Sequence, residues 1–241
     1  MISRRELVIA TGAALLAPYF CWATDDFPYL LDHVILGCKD LDDGIQFVEK
    51  RTGVRATPGG VHPDRGMSNA LLSLGQRHYL EIMAPDPNAK NVQVWAARQL
   101  DVLKGLTNPR LMGWAVHSND LESLAKKFRD SGLQIVGPWP GSRTRPDGSI
   151  VSWKSFSLAN DRHGLLPFFI EWGKDSVHPS SHAPTGCHLE RFAVAAPDTE
   201  ELSKELRRIE VQAPVEHSQT TQLRLRVTGP KGKLEVTSLI E

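Results

Sequence analysis

The chain has 241 residues, 41% hydrophobic and 23% charged, with 28 Lys and Arg balancing 28 Asp and Glu. That length buries one large core or two small ones, and the composition excludes a disordered chain. The balanced charge leaves no basic field for a nucleic-acid backbone and no Lys/Arg cluster for an anionic membrane, so a small neutral or weakly charged molecule is the expected ligand.

Residues 1–23 read as an export signal. Arg4 and Arg5 precede an apolar run from Leu7 to Ala17, and Phe20-Cys21-Trp22-Ala23 leads into a polar start at Thr24-Asp25-Asp26. The run is short for a bilayer span. Ser3-Arg4-Arg5 ahead of a modest apolar stretch resembles a twin-arginine leader. Cleavage after Ala23 would leave a periplasmic or secreted protein with no stable membrane anchor. Cys21 would leave with the leader. Cys38 and Cys187 sit in no Cys-x-x-Cys or Cys-His motif, and stay open between one disulfide and two buried thiols.

Beyond the leader, one pattern occurs three times. Leu31–Gly37 is an apolar run with β-branched residues, read as a strand. Asp40 then caps a helix carrying Ile45, Phe47 and Val48 and ending at Gly53. Strands follow over Ala70–Leu74 and Tyr79–Met83, with a turn at Gly75-Gln76. The second unit has a strand over Leu111–Val116, a cap at Asn119-Asp120 and a helix through Leu124 and Phe128 to Gly132. Its later strands are Leu133–Val136, Ser152–Phe156 and Pro167–Trp172. The third has a strand over Leu189–Val194, a cap at Asp198, a helix through Leu202, Leu206 and Ile209, and strands at Leu223–Val227 and Leu234–Val236. Strand, helix, then several strands is an α+β arrangement whose sheet needs a second sheet to bury its inner face.

The order and spacing of several short motifs make the chain resemble the glyoxalase-like domain group of the vicinal-oxygen-chelate superfamily. They are Leu31-Asp32-His33-Val34-Ile35-Leu36 before a helix, Gly59-Gly60-Val61-His62-Pro63 before Asn69-Ala70-Leu71, Tyr79-Leu80-Glu81-Ile82, and Pro167–Trp172 with His178-Pro179 after it. The resemblance implies repeated βαβββ modules forming a sheet-lined cup. Residues 29–185 would form the paired domain, with 186–241 a shortened third βαβ-type module packed on it. It also implies a lyase, isomerase or dioxygenase acting on a small oxygenated molecule. A metal-free binding protein of the same fold is the alternative, and a third unit that docks a partner is another.

In the superfamily's metal-using members, inward residues on the first and last strands of each module hold one divalent ion. Here those positions would be His33, Glu81 and Glu171, with Gly113 at the fourth, where no ligation is possible. Such a set suits zinc, nickel, manganese or iron with open positions. The alternative is a pocket with no cofactor, in which Glu81 and His33 act as catalytic acid–base groups. The loop from Pro58 to Gly66, flanked by His62 and Asn69, is expected at the cup mouth, with His62, Asn69 and Trp114 touching ligand. His117 is expected at the surface. Arg191 and Glu235 would make an internal ion pair in the third unit. The oligomeric state stays open between monomer and homodimer.

Overall fold

The computed structural model describes residues 30–75, 77–90 and 92–238. The leader expected at residues 1–23 and the turn residue Gln76 lie outside them. Three modules follow one another. The first holds β1 (Leu31–Gly37), α1 (Leu41–Thr52), β2 (Thr57–His62), β3 (Met67–Ser73) and β4 (Tyr79–Pro85), and α2 (Ala97–Lys104) leads out of it. The second holds β5 (Arg110–His117), α3 (Leu121–Asp130), β6 (Ile135–Thr144), β7 (Ile150–Leu158) and β8 (Phe168–Trp172). The third holds β9 (His188–Ala196), α4 (Thr199–Arg208), β10 (Val215–His217), β11 (Gln222–Gly229) and β12 (Gly232–Thr237).

The caps form as their residue types require. Asp40 accepts a hydrogen bond from the Asp43 N–H, and Asp120 from the Ser123 N–H. Gly53, at φ 81°, closes α1 in the left-handed region that a side chain would strain.

Modules one and two close into a single eight-stranded cup in the order β1-β4-β3-β2-β6-β7-β8-β5. Within each module the first strand lies parallel to the last, with Ile35 beside Glu81 and Ala115 beside Phe168. Two seams join the modules, β1 antiparallel to β5 and a short contact of Val61 with Thr144. Side chains alternate across each strand. On β4, Tyr79, Glu81 and Met83 face the cup, while Leu80 and Ile82 enter the core under the helices.

The third module also has three strands after its helix, but they are ordered β10-β9-β11-β12. Its first strand pairs with β11 rather than with its last strand, so no cup-like pairing of Arg191 and Glu235 arises. Arg191 donates to Glu216, and Glu235 accepts from Arg226. This sheet buries its apolar face against the first two modules. The Lys231 N–H donates to the Thr52 carbonyl, and the ring of Phe192 lies 5.0 Å from Trp114.

The sequence reading missed β2, β10 and α2, and shortened β6. The segment Thr57-Pro58-Gly59-Gly60 carries loop residues, but pairing with β3 holds it extended, so the expected Pro58–Gly66 loop is largely strand. Cys38 and Cys187 are free buried thiols. Among the described residues no helix is long and apolar enough to cross a membrane.

Candidate active site

The cup encloses a cavity of about 320 Å³. At its floor Glu81 projects from β4, almost wholly buried. His33 Nε2 and His62 Nε2 each lie 3.6 Å from one of its carboxylate oxygens. The side-chain amide of Asn69, on β3, donates to Glu81 Oε1 and meets His62 Nε2 at 3.2 Å. Nε2 of His62 thus stands within reach of both the Asn69 amide and the Glu81 carboxylate. The Asn69 Oδ1 is buried without a hydrogen-bond partner among the described residues. Burial pushes the Glu81 carboxyl upward, but the His62 contact, the His33 charge and the Asn69 hydrogen bond outweigh it and hold the group at about 2. Glu81 is therefore ionised at any ordinary pH.

Behind His33 sits a second buried carboxylate. A bulge in β1 between Leu31 and His33 brings Asp32 to the side of its neighbour's ring. Asp32, fully buried, meets His33 Nδ1 at 2.7 Å, Trp172 Nε1 at 3.0 Å and His178 Nε2 at 3.1 Å. The Ser180 N–H points at His178 Nδ1, so the His178 proton sits on Nε2 and is donated to Asp32. Burial raises the Asp32 carboxyl, and the hydrogen bonds from His178 and His33 overcome that and hold it well below the usual carboxylate range. An ionised Asp32 fixes a proton on His33 Nδ1, which leaves Nε2 to exchange with Glu81 and the cavity. The His33 ring is clamped between Tyr79, stacked at 4.6 Å, and the edge of Phe168 at 5.4 Å.

Two guanidinium groups reach the cavity. Arg143, on β6, is anchored by donation to the Gly59 carbonyl and is buried. Arg65 lies nearer the mouth, its guanidinium over the Trp95 ring. Burial lowers the pKa of each, and the negative charge of Glu81 opposes that shift. Tyr79 is pushed well above its ordinary value by burial and by the charges of Glu81 and Asp32. The cavity thus joins the Glu81 carboxylate and its imidazoles to cationic groups and an aromatic wall of Tyr79, Phe168 and Trp172.

Of the residues expected to act, His33, His62, Asn69 and Glu81 converge at this point. Trp114 borders the cavity but is fully buried, and its indole N–H goes to the Leu165 carbonyl. Glu171 does not join them. It lies on the outer face of β8, where its carboxylate accepts the Leu121 N–H at the start of α3. The pairing of Ala115 with Phe168 puts Phe168, not Glu171, at the place that Glu81 takes in the first module. His117 is half-buried rather than at the surface, and its Nδ1 lacks a hydrogen-bond partner among the described residues.

The residues present do not fit the metal chelate expected from the sequence. Gly113 and Phe168 supply no donor, and among the described residues no group of three His, Cys, Asp or Glu side chains, the His33, His62 and Glu81 cluster included, is placed to hold an ion.

A family model described as Glyoxalase-like domain matches residues 31–210. The chain belongs to that family. Among solved structures, this glyoxalase-like chain resembles a hypothetical protein from Staphylococcus aureus at 17% identity and TM-score 0.59, over 86% of this chain and 84% of that one. That likeness shows the fold. Methylmalonyl-CoA epimerase from Mycobacterium tuberculosis aligns at 22% identity and TM-score 0.40, over 59% of this chain and 85% of the other. The Streptomyces coelicolor epimerase with 2-nitronate-propionyl-CoA bound aligns at 22% and 0.42, over 61% and 96%. A search of curated proteins found no match.

Asp32, His178, Tyr79, Arg65 and Arg143 had no role in the sequence reading. Asp32 carried a usable signal, a carboxylate opening an apolar strand beside a candidate histidine. Arg143 carried none, because its position depends on the β2–β6 seam.

Proposed function

We propose that the chain is an enzyme of the lyase or isomerase type that moves a proton on a small oxygenated carbon acid. The observation that carries this reading is the ionised, buried Glu81 at the floor of a closed cup, held between two imidazole Nε2 atoms. A carboxylate desolvated this far is costly unless it is used or firmly paired. Here its neighbours are groups that exchange protons, and no Arg or Lys makes an ion pair with it at salt-bridge distance among the described residues.

In this reading Glu81 accepts the proton from carbon beside a carbonyl, and charge develops on the carbonyl oxygen. Arg143 and Arg65 provide a positive potential for that oxygen or for a substrate carboxylate. A carboxyl near 2 binds a proton weakly, so Glu81 cannot keep it alone. His62 Nε2 and His33 Nε2, each 3.6 Å from the carboxylate, are placed to take it up. Asp32 holds His33 in the tautomer that this uptake needs, in the manner of an orienting carboxylate. The proposed chemistry uses no resident metal, because the second module offers no donor to complete a chelate.

A binding protein is the rival reading, favoured by the aromatic walls and by the open space in front of Gly113. Glu81→Gln separates the two. The enzyme reading expects turnover to fall about 10²-fold to 10⁴-fold with ligand affinity changed little. Unchanged turnover would remove it. Export by a twin-arginine leader belongs to the same proposal, since a protein that folds before export carries its cup across assembled.

A further inference from the structure

Beside the cup lies a second concavity of about 730 Å³ that the proposed proton transfer does not use. It is larger than the cup's own cavity, and its walls include two tryptophans that folding leaves in water. Trp95 is 62% exposed and Trp139 is 64% exposed. Val136, also exposed, lies with them. Water-exposed indoles gathered around one hollow mark a binding surface rather than a stability feature. The hollow is not separate from the cup. His62, Arg65, Trp153, Ser155 and Ser157 border both spaces. The His62 ring that touches Glu81 also meets the edge of Trp153 at 5.7 Å. Trp153 can stand at this partition because Gly141 has no side chain, since a Cβ there would come within 2.5 Å of the indole.

We infer that this groove is a second subsite, which takes the planar aromatic body of the same substrate whose oxygenated head lies at Glu81. The inference rests on the proposed function for the head and adds the class of the rest of the molecule. Trp95 and Trp139 present aromatic faces to a ring system, and apolar contact with Val136 adds buried area. Arg65, at the junction with its guanidinium over Trp95, is placed to meet a negative group linking head to body. The substrate is then a molecule larger than a three- or four-carbon acid, with an anionic or carbonyl-bearing head joined to an apolar aromatic part. The open space before Gly113 enlarges the head compartment.

Two fluorescent probes test this in the full chain. One is 8-anilinonaphthalene-1-sulfonate, which joins a planar body to an anionic group, and the other is uncharged N-phenyl-1-naphthylamine. The expected result is binding of one molecule of each per chain. Trp139→Ala and Trp95→Ala should each weaken both probes about tenfold or more, since each removes a stacking face. Arg65→Gln should weaken the sulfonate probe alone. Glu81→Gln should leave the groove's affinity for the uncharged probe unchanged, so a failure of the proton-transfer reading does not touch this result. Both tryptophans are largely exposed, so unaltered thermal unfolding of the variants is expected. Probe affinity indifferent to both substitutions would overturn the inference. So would sedimentation showing a dimer that Trp139→Ala turns into monomer, because a second copy would then be the groove's occupant.

Discussion

Replacing Asp32 by Asn keeps the side chain's shape and removes its charge, and the structure says what should follow. The carboxylate meets three N–H groups, at 2.7 Å from His33, 3.0 Å from Trp172 and 3.1 Å from His178. An amide offers one acceptor oxygen and turns an NH₂ toward a donor, so at least one buried N–H loses its partner. That loss costs about 1–3 kcal/mol, and the remaining bonds weaken because neutral acceptors bind less strongly. The lower cost of burying an amide offsets part of this. A net destabilisation of about 2–3 kcal/mol is expected at pH 7, a fall in Tm of roughly 5–10 °C for a chain of this size. Because the folded-state pKa of Asp32 lies below its unfolded value, its stabilisation is present above that value and lost on acidification. The gap between native and variant should begin to close below about pH 4, where the unfolded carboxylate starts to protonate. Thermal unfolding followed by circular dichroism from pH 3 to pH 8 measures both effects. Equal Tm values at pH 7, or a gap that widens on acidification, would refute the assigned network.

A Cβ added at Gly113 meets no atom within 4 Å and points into the cavity. Gly113→Leu should therefore leave Tm within about 1 °C of the native value while abolishing ligand binding in the cup, measured by calorimetry. Glu171→Ala should cost about 1 kcal/mol by removing a cap from α3. It should leave turnover and metal content, by elemental analysis, unchanged, and a loss of bound metal would restore Glu171 to the site. Replacing Arg4 and Arg5 together by Lys should stop export, read by fractionation and N-terminal sequencing. Normal processing of that variant would exclude the twin-arginine route.

The glyoxalase-like fold was legible because each module announces itself locally. Apolar strands, Asp40 and Asp120 as caps, and Gly53 and Gly132 as terminators are signals contained within a few residues. Parts that depend on pairing were hidden. β2 is a strand because β3 holds it, although Pro58, Gly59 and Gly60 argue against one locally. The third module shows a limit of another kind. Its residues announce strand, helix and strands correctly, but strand order is set by what β9 finds beside it, and β10 rather than the last strand β12 lies parallel to it.

The candidate site was half legible. Glu81 and His33 stood out as polar residues in apolar strands, and His62 and Asn69 through their place near a glycine-rich stretch. Glu171 looked equivalent to Glu81 because both sit in apolar strand ends. The face that a side chain takes depends on register, however, and three positions separate Glu171 from Phe168, enough to turn it out of the cup. Of the Asp32 network only the carboxylate beside His33 could be read, because a one-residue bulge in β1 turns it onto the ring and His178 joins it across a long stretch of chain.

The central claim is that Glu81 and its imidazoles move a proton on carbon. Proton exchange tests it without knowledge of the natural substrate. A panel of 2-oxo acids and 1,3-dicarbonyl compounds bearing aromatic substituents would be incubated in deuterium oxide with the native chain and with Glu81→Gln. Loss of the C–H signal beside the carbonyl would be followed by proton magnetic resonance. The account predicts catalysed exchange on at least one member of the panel by the native chain, and the uncatalysed rate with the variant. Exchange by the variant at the native rate, or binding of panel members by the native chain with no exchange on any of them, would contradict it.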